Sequence, residues 1–191
     1  MKSKLIAIIC GLLLAVSCLE ASALEIGGVN VPQTVTVENN QLVLNGAGIR
    51  KKFFFKIYVG ALYLTTRQSN VDAILADQGP KSIVMTFLYK EVETKKLVDG
   101  WNEGFANNSS AREINKLKER INRFNRMFAT VHRGDEIRLD YLPDKGTQVM
   151  INHSVKGIVE GEDFSRALLK IWLGPEPADS NLKDAMLGDA S

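Results

Sequence analysis

The sequence predicts an α+β domain built on an antiparallel sheet. Three observations carry this. Short apolar runs that alternate or are rich in β-branched residues lie on either side of turn signals, at 35–44 and again at 136–160. Between them come two stretches with apolar residues at helical spacing, 94–105 and 110–128, and a third follows at 163–173. No internal repeat, low-complexity tract or Pro/Gly-rich linker divides the chain, so a single domain is expected.

Val35 and Val37, then Leu42 and Leu44, alternate around Glu38–Asn39–Asn40, the pattern of a hairpin. Phe53–Thr66 reads as one long strand with two apolar faces. Phe53, Phe55, Ile57, Val59, Ala61 and Tyr63 lie on one, and Phe54, Tyr58, Leu62 and Leu64 on the other. A strand apolar on both sides is covered on both. Lys56 interrupts the second face and is expected near its edge, or snorkelling. Val71–Ala76 reads as a short helix and Lys81–Tyr89 as a further strand. Leu97, Val98, Trp101 and Phe105 stripe a helix over Thr94–Phe105. Ser110 and Glu113 have the spacing of a capping box, and Ile114, Leu117, Ile121, Phe124 and Phe128 stripe the helix they open. Gly134 is its expected stop. Strands over Glu136–Tyr141, Thr147–Asn152 and Val155–Glu160 follow, with Pro143–Asp144–Lys145–Gly146 as a turn. Phe164, Ala167, Leu168, Ile171 and Trp172 share one face of a last helix, Asp163–Leu173, which Gly174–Pro175 ends.

Residues 1–23 read as a cleaved signal peptide. Lys2 and Lys4 precede the apolar run Leu5–Val16, and Ala21–Ser22–Ala23 offers a cleavage motif, so the mature chain is expected to start at Leu24. Its expected compartment is the periplasm, or the outside of a cell with one membrane. Cys18 after Ala15–Val16–Ser17 supports a competing lipoprotein reading, weakened because Ala15 stands where that motif normally has Leu. Both cysteines, Cys10 and Cys18, fall in this leader, so the mature domain at 24–191 has neither a thiol nor a disulfide. It carries 22 basic against 21 acidic residues, which makes no general case for nucleic acid.

Signs of catalysis are scarce. The two histidines, His132 and His153, lie in no motif. His132 is expected in the last turn of a helix, where a cation suits the dipole, and His153 in a turn. No nucleophile elbow, zinc-protease, P-loop or dinucleotide motif occurs, so no catalytic residue, metal or cofactor is nominated. Glu160, Glu162 and Asp163 read as acidic residues leading into a helix. Arg112, Lys116, Lys118, Arg120, Arg123 and Arg126 surround an apolar stripe, and such a helix can lie on an anionic membrane or meet an acidic partner. Glu113 and Glu119 dilute that charge, and the stripe suits docking on the sheet, so a solvated face is the preferred reading. No protein partner is legible.

Arg50 points furthest toward function. It closes the stretch Leu42–Val43–Leu44–Asn45–Gly46–Ala47–Gly48–Ile49–Arg50, whose glycines permit turns or close approach. An apolar run follows. Pointing inward there, a cation needs an anionic partner, because burying an unpaired charge is prohibitive. The alternative is a surface or ion-paired arginine beside Lys51 and Lys52. An inward arginine against an apolar wall suits a ligand with an acidic head and an apolar body.

The run LNGAGIRKKFFFKIYVGALYL, followed by GDEIRLDY and GEDFSRALLKIWLG, resembles the chalcone isomerase-like family, in particular its exported bacterial branch, from about Gly27 to Gly188. The resemblance implies a large antiparallel sheet with a layer of helices on one face and a ligand cleft between the layers. In plant chalcone isomerases the arginine ending the matching glycine-rich segment lies in that cleft. In fatty-acid-binding members it meets the carboxylate of the acid. The matching residue here is Arg50, and the isomerases' cleft threonine falls on Tyr58, whose phenol can still donate a hydrogen bond.

Departures from the isomerases matter as much. Their cleft tyrosine has no match in Glu91–Val92–Glu93–Thr94, the nearest being Tyr89. Their asparagine falls near Gly100, with Asn102 an imperfect replacement, and their specificity threonine is replaced by Ile171. The expectation is a non-catalytic protein that binds a small amphipathic acid such as a fatty acid. Arg50 and Tyr58 would hold it against Leu97, Trp101, Phe105, Leu168 and Trp172. Isomerase or lyase chemistry on an unsaturated carbonyl compound, and an envelope interaction module with a closed cleft, are the alternatives.

Overall fold

The alternation read along the chain becomes one continuous meander. The computed structural model describes residues 24–188, so the expected leader and cleavage motif, with Cys10 and Cys18, lie outside the described residues. Strands β1 (Leu24–Ile26) and β2 (Val29–Val31) form a small hairpin. Next come β3 (Thr34–Val37), β4 (Asn40–Lys52), β5 (Phe55–Leu64), the short helix α1 (Val71–Ala76) and β6 (Lys81–Phe87). An insertion follows, made of β7 (Glu91–Val92), α2 (Thr94–Asn108), α3 (Ala111–Asn125) and β8 (Val131–His132). The chain returns through β9 (Glu136–Leu142), β10 (Gly146–Ile151) and β11 (Ser154–Val159), then closes with α4 (Glu162–Leu173) and α5 (Ser180–Met186). Seven strands pair in the order β11-β10-β9-β6-β5-β4-β3, every neighbour antiparallel.

Both faces of this sheet are apolar, as the long run in β5 requires. On one, Tyr58, Leu62, Met85, Phe87 and Ile137 meet Trp101, Phe105, Phe124, Phe164 and Trp172 from the helices. On the other, Val59, Ala61 and Tyr63 close over Val31, Val37, Leu42 and Leu44. Each large side chain fully buried this way stabilises the fold by about 1.5–3 kcal/mol.

The glycines before Arg50 serve close approach inside a strand, not a turn. A Cβ at Gly46 would stand 2.0 Å from the carbonyl oxygen of Ala185, and one at Gly48 2.7 Å from the Ala185 Cβ. Their bareness lets α5 lie directly on β4. α5 lies beyond the Gly174–Pro175 stop, outside the elements the sequence pattern predicts.

Three expectations are corrected. The strand expected from Phe53 begins at Phe55, because β4 runs on to Lys52 and pairs it with Phe55. Phe53 and Phe54 are left to make the turn, exposed rather than covered. The helix expected to run to Gly134 ends at Asn125. Phe128 stays buried beyond it, while Val131 must reach Val92 to form the β7–β8 pair, and Gly134 at φ 90° turns the chain into β9. His132 therefore lies in a strand, with its Nε2 3.2 Å from Glu91 Oε2, and not at a helix terminus.

The local signals at the other ends are met. Ser110 and Glu113 form the capping box of α3. Arg120 on α3 donates to both carboxylate oxygens of Asp163, at 2.6 and 2.9 Å, and Lys116 adds a contact at 2.9 Å. The Arg120 hydrogen bond, ahead of its charge and that of Lys116, holds the Asp163 carboxyl well below the usual range. Part of the basic face of α3 is thus spent on pinning the start of α4.

Candidate functional site

Arg50 and Tyr58 are direct partners across β4 and β5. Arg50 follows Gly46 and Gly48 at alternate positions, so it shares their side of the strand, beneath the helices. Its guanidinium carbon lies 5.7 Å from the centre of the Tyr58 ring, within reach of a cation–π attraction. The Arg50 Nε is buried without a hydrogen-bond partner. Among the described residues no carboxylate pairs with this side chain. The acidic neighbour Asp179 is committed to backbone: its Oδ2 accepts from Lys51 N–H at 2.8 Å and its Oδ1 from Leu182 N–H at 3.0 Å, capping α5.

Tyr58 is buried, and its hydroxyl oxygen accepts from the Trp172 indole N–H at 2.8 Å. Serving as acceptor leaves the phenolic proton free to be donated. Burial pushes the Tyr58 pKa up, against the lowering effects of the Arg50 charge and the Trp172 hydrogen bond. The phenol keeps its proton at neutral pH.

A cavity of about 400 Å³ opens beside this pair, between sheet and helices. Arg50, Tyr58, Ile57 and Phe87 line it from the sheet, and Leu97, Gly100, Trp101 and Ile171 from α2 and α4. Lys52, Tyr89, Glu91, Lys96, Asp99 and Glu103 also border it, with Ala178 from the loop before α5. The Trp101 indole N–H is a second buried donor without a partner. Arg50, Trp101 and the Tyr58 hydroxyl thus bring donors to the sheet and helix walls of this space, while Glu91, Asp99 and Glu103 at its border form no ion pair with Arg50 among the described residues. Each buried donor left unpaired costs about 1–3 kcal/mol.

The structure gathers Arg50, Tyr58, Trp101 and Ile171 into one cleft. Trp172 sits one layer behind, under Tyr58, and acts through that hydroxyl instead of forming the wall. Asn102 is not in the cleft: its Oδ1 accepts from Asn125 Nδ2 at 2.8 Å on the exposed side of α2. A step of one residue from Trp101 turns a helical side chain by roughly a quarter turn, which is enough to miss the cavity. Phe105 and Leu168 are core, with Phe105 packed on Phe124 and Phe164. Tyr89, set aside as part of the preceding strand, lies beyond β6 and borders the cavity. No local pattern in the sequence singles out Phe87 or Ala178. Phe87 is the register partner of Tyr58 on β6, a relation visible only once the strands are paired.

A family model described as chalcone isomerase-like matches residues 23–188. No curated protein matches the chain. Among solved structures, the crystal structure of a fatty-acid-binding protein from Arabidopsis thaliana is similar, with a TM-score of 0.68 and 18% identity over 85% of this chain and 93% of that one. At that identity the likeness speaks for the fold alone.

Proposed function

From the chain's place in the chalcone isomerase-like family, to which it belongs, we propose a non-catalytic binding protein for a small amphipathic acid, working in the periplasm after its leader is removed. The observation that carries this reading is the Arg50 guanidinium, without an ion-pair partner among the described residues, beside Tyr58 at the wall of the cavity. A carboxylate meeting Arg50 and the Tyr58 hydroxyl satisfies the stranded donors, for about 1.5–3 kcal/mol of charged hydrogen bonding. The tail contributes more, at about 0.8 kcal/mol per buried methylene. A fatty acid comes first because the Arabidopsis neighbour is named for binding one. The cavity volume falls within the range of about 300–1,000 Å³ common to small-molecule sites, which weighs against an interaction module with a closed cleft.

An isomerase would need further polar groups aimed at a substrate carbonyl. Asn102, the nearest replacement for the isomerases' cleft asparagine, points elsewhere. The test is native mass spectrometry of the processed protein from its own host, followed by fatty-acid titration of wild type and Arg50→Ala. A co-purified acid, with affinity lost in the variant, is the expected result. An empty protein and identical titrations would refute the reading.

A further inference from the structure

The β4–β5 hairpin ends in an aromatic tip for which the fold has no internal use. Among the described residues, two-residue turns occur at Gly27–Gly28, Glu38–Asn39, Phe53–Phe54 and Asn152–His153. Three of these carry the glycine or polar residues that tight turns favour. The remaining one is a pair of phenylalanines, with Phe53 in the left-handed region at φ 57°, a conformation that bulky residues rarely adopt. Phe53 is 87% and Phe54 81% exposed. The Phe54 ring lies 4.2 Å from Phe55, which meets Tyr89 edge-on at 5.4 Å, so the rings form one patch. Exposed apolar patches of this kind mark interaction sites.

Cations surround that patch. Lys51 and Lys52 precede the turn and Lys56 follows it, all exposed, and exposed Lys90 and Arg133 come from neighbouring loops. Phe54, Phe55, Lys56, Tyr89 and Arg133 border one shared groove. Among the described residues these cations have no ion-pair partner, and nearby Glu91 is engaged with His132. A two-residue tip is far smaller than the roughly 800 Å² per partner of a stable protein interface. Aromatic rings ringed by lysines suit the headgroup region of an anionic bilayer, where rings insert and cations meet phosphate.

We propose that this hairpin is a membrane-docking tip, inserting Phe53 and Phe54 into an anionic phospholipid surface while Lys51, Lys52 and Lys56 contact the headgroups. The inference goes beyond acid binding and does not depend on it. Lys52 and Tyr89 also border the cleft, so a docked molecule holds the cleft mouth next to the lipid.

The test is flotation of the processed chain, free of ligand, with phosphatidylcholine vesicles with and without added phosphatidylglycerol. Wild type is expected to float only with the anionic vesicles, and less in high salt. Phe53→Asn combined with Phe54→Ser, and separately Lys51→Glu combined with Lys56→Glu, should each weaken binding about tenfold or more. The aromatic variant should keep its near-ultraviolet dichroism and its fatty-acid titration, since neither ring borders the cleft. Failure of the tip is therefore distinguishable from failure of the cleft. The proposal falls if wild type ignores anionic vesicles or if the aromatic variant floats equally well. It also falls if the tip instead mediates dimerisation, seen as a dimer that the same substitutions dissolve.

Discussion

Two cations lie beneath the helices on this sheet, each beside a tyrosine, and the fold treats them in opposite ways. Lys81 on β6 has its ammonium 5.1 Å from the Tyr141 ring and is 2% exposed. It donates to the carbonyls of Asp77 and Gly79, and the Asp77 carboxylate lies 3.0 Å away. Only about 20 Å³ of space remains beside it. Arg50 on β4 has its tyrosine but, among the described residues, no acid, together with an unpaired Nε and about 400 Å³ of space beside it. Lys81 is answered by the protein's own groups and belongs to the structure, whereas Arg50 is half-buried and stands without an ion-pair partner beside a cavity.

Substitution should separate the two cations most sharply in ligand binding. Arg50→Met is expected to weaken fatty-acid affinity by about 10- to 100-fold, the worth of one charged hydrogen bond. The same change should leave stability in urea unchanged or raise it by up to about 1 kcal/mol, because it removes an unpaired buried donor. A loss of stability instead would mean that the arginine is structural.

Lys81→Met should do the reverse. It takes the donor from two part-buried carbonyls, so the urea midpoint should report a loss of about 1–3 kcal/mol. Acid binding, read by the same titration, should be untouched.

Trp172→Phe tests the support of the cleft. Removing the donor to Tyr58 should cost about 1 kcal/mol in stability and loosen acid binding only a few-fold, since the phenol loses its orientation but not its proton. A complete loss of binding would place Trp172 in the wall after all.

The smallest effect is expected in the pH dependence. The Asp163 carboxyl is held low chiefly by its Arg120 hydrogen bond. For Asp77, burial pushes the carboxyl up, but the hydrogen bond from Lys81 and the Gly79 N–H together outweigh it. A carboxyl with a lowered folded value contributes stability above its unfolded value, near 3.9, and loses it as pH falls toward the folded one. Asp163→Asn and Lys81→Met should therefore flatten the decline of the urea midpoint below about pH 4. Arg50→Met should leave the slope unchanged, because among the described residues no carboxylate forms an ion pair with Arg50.

Much of the architecture could be read before any strand was paired. Val35 and Val37 against Leu42 and Leu44, the Ser110–Glu113 box, and the stripe ending at Trp172 all depend on residues a few positions apart. The ends of elements were harder, because they answer to distant partners. Phe53 and Phe54 look like strand until Lys52 is found opposite Phe55. His132 looks like helix until Val131 is drawn to Val92. In the cleft, Arg50 and Tyr58 stood out, whereas Phe87 and Ala178 did not, and Asn102 was off by one residue around a helix.

Local patterns along the chain specify an α+β meander, its capped helices and the conspicuous position of one arginine. Those properties follow from alternation, capping and turn chemistry, which act over a few residues. Only the tertiary structure decided that Trp172 would meet Tyr58 across 114 positions, that α5 would settle on Gly46 and Gly48, and that Lys81 would be answered while Arg50 was not. Whether a buried polar group finds a partner depends on what the whole chain brings to it, and no local pattern carries that information.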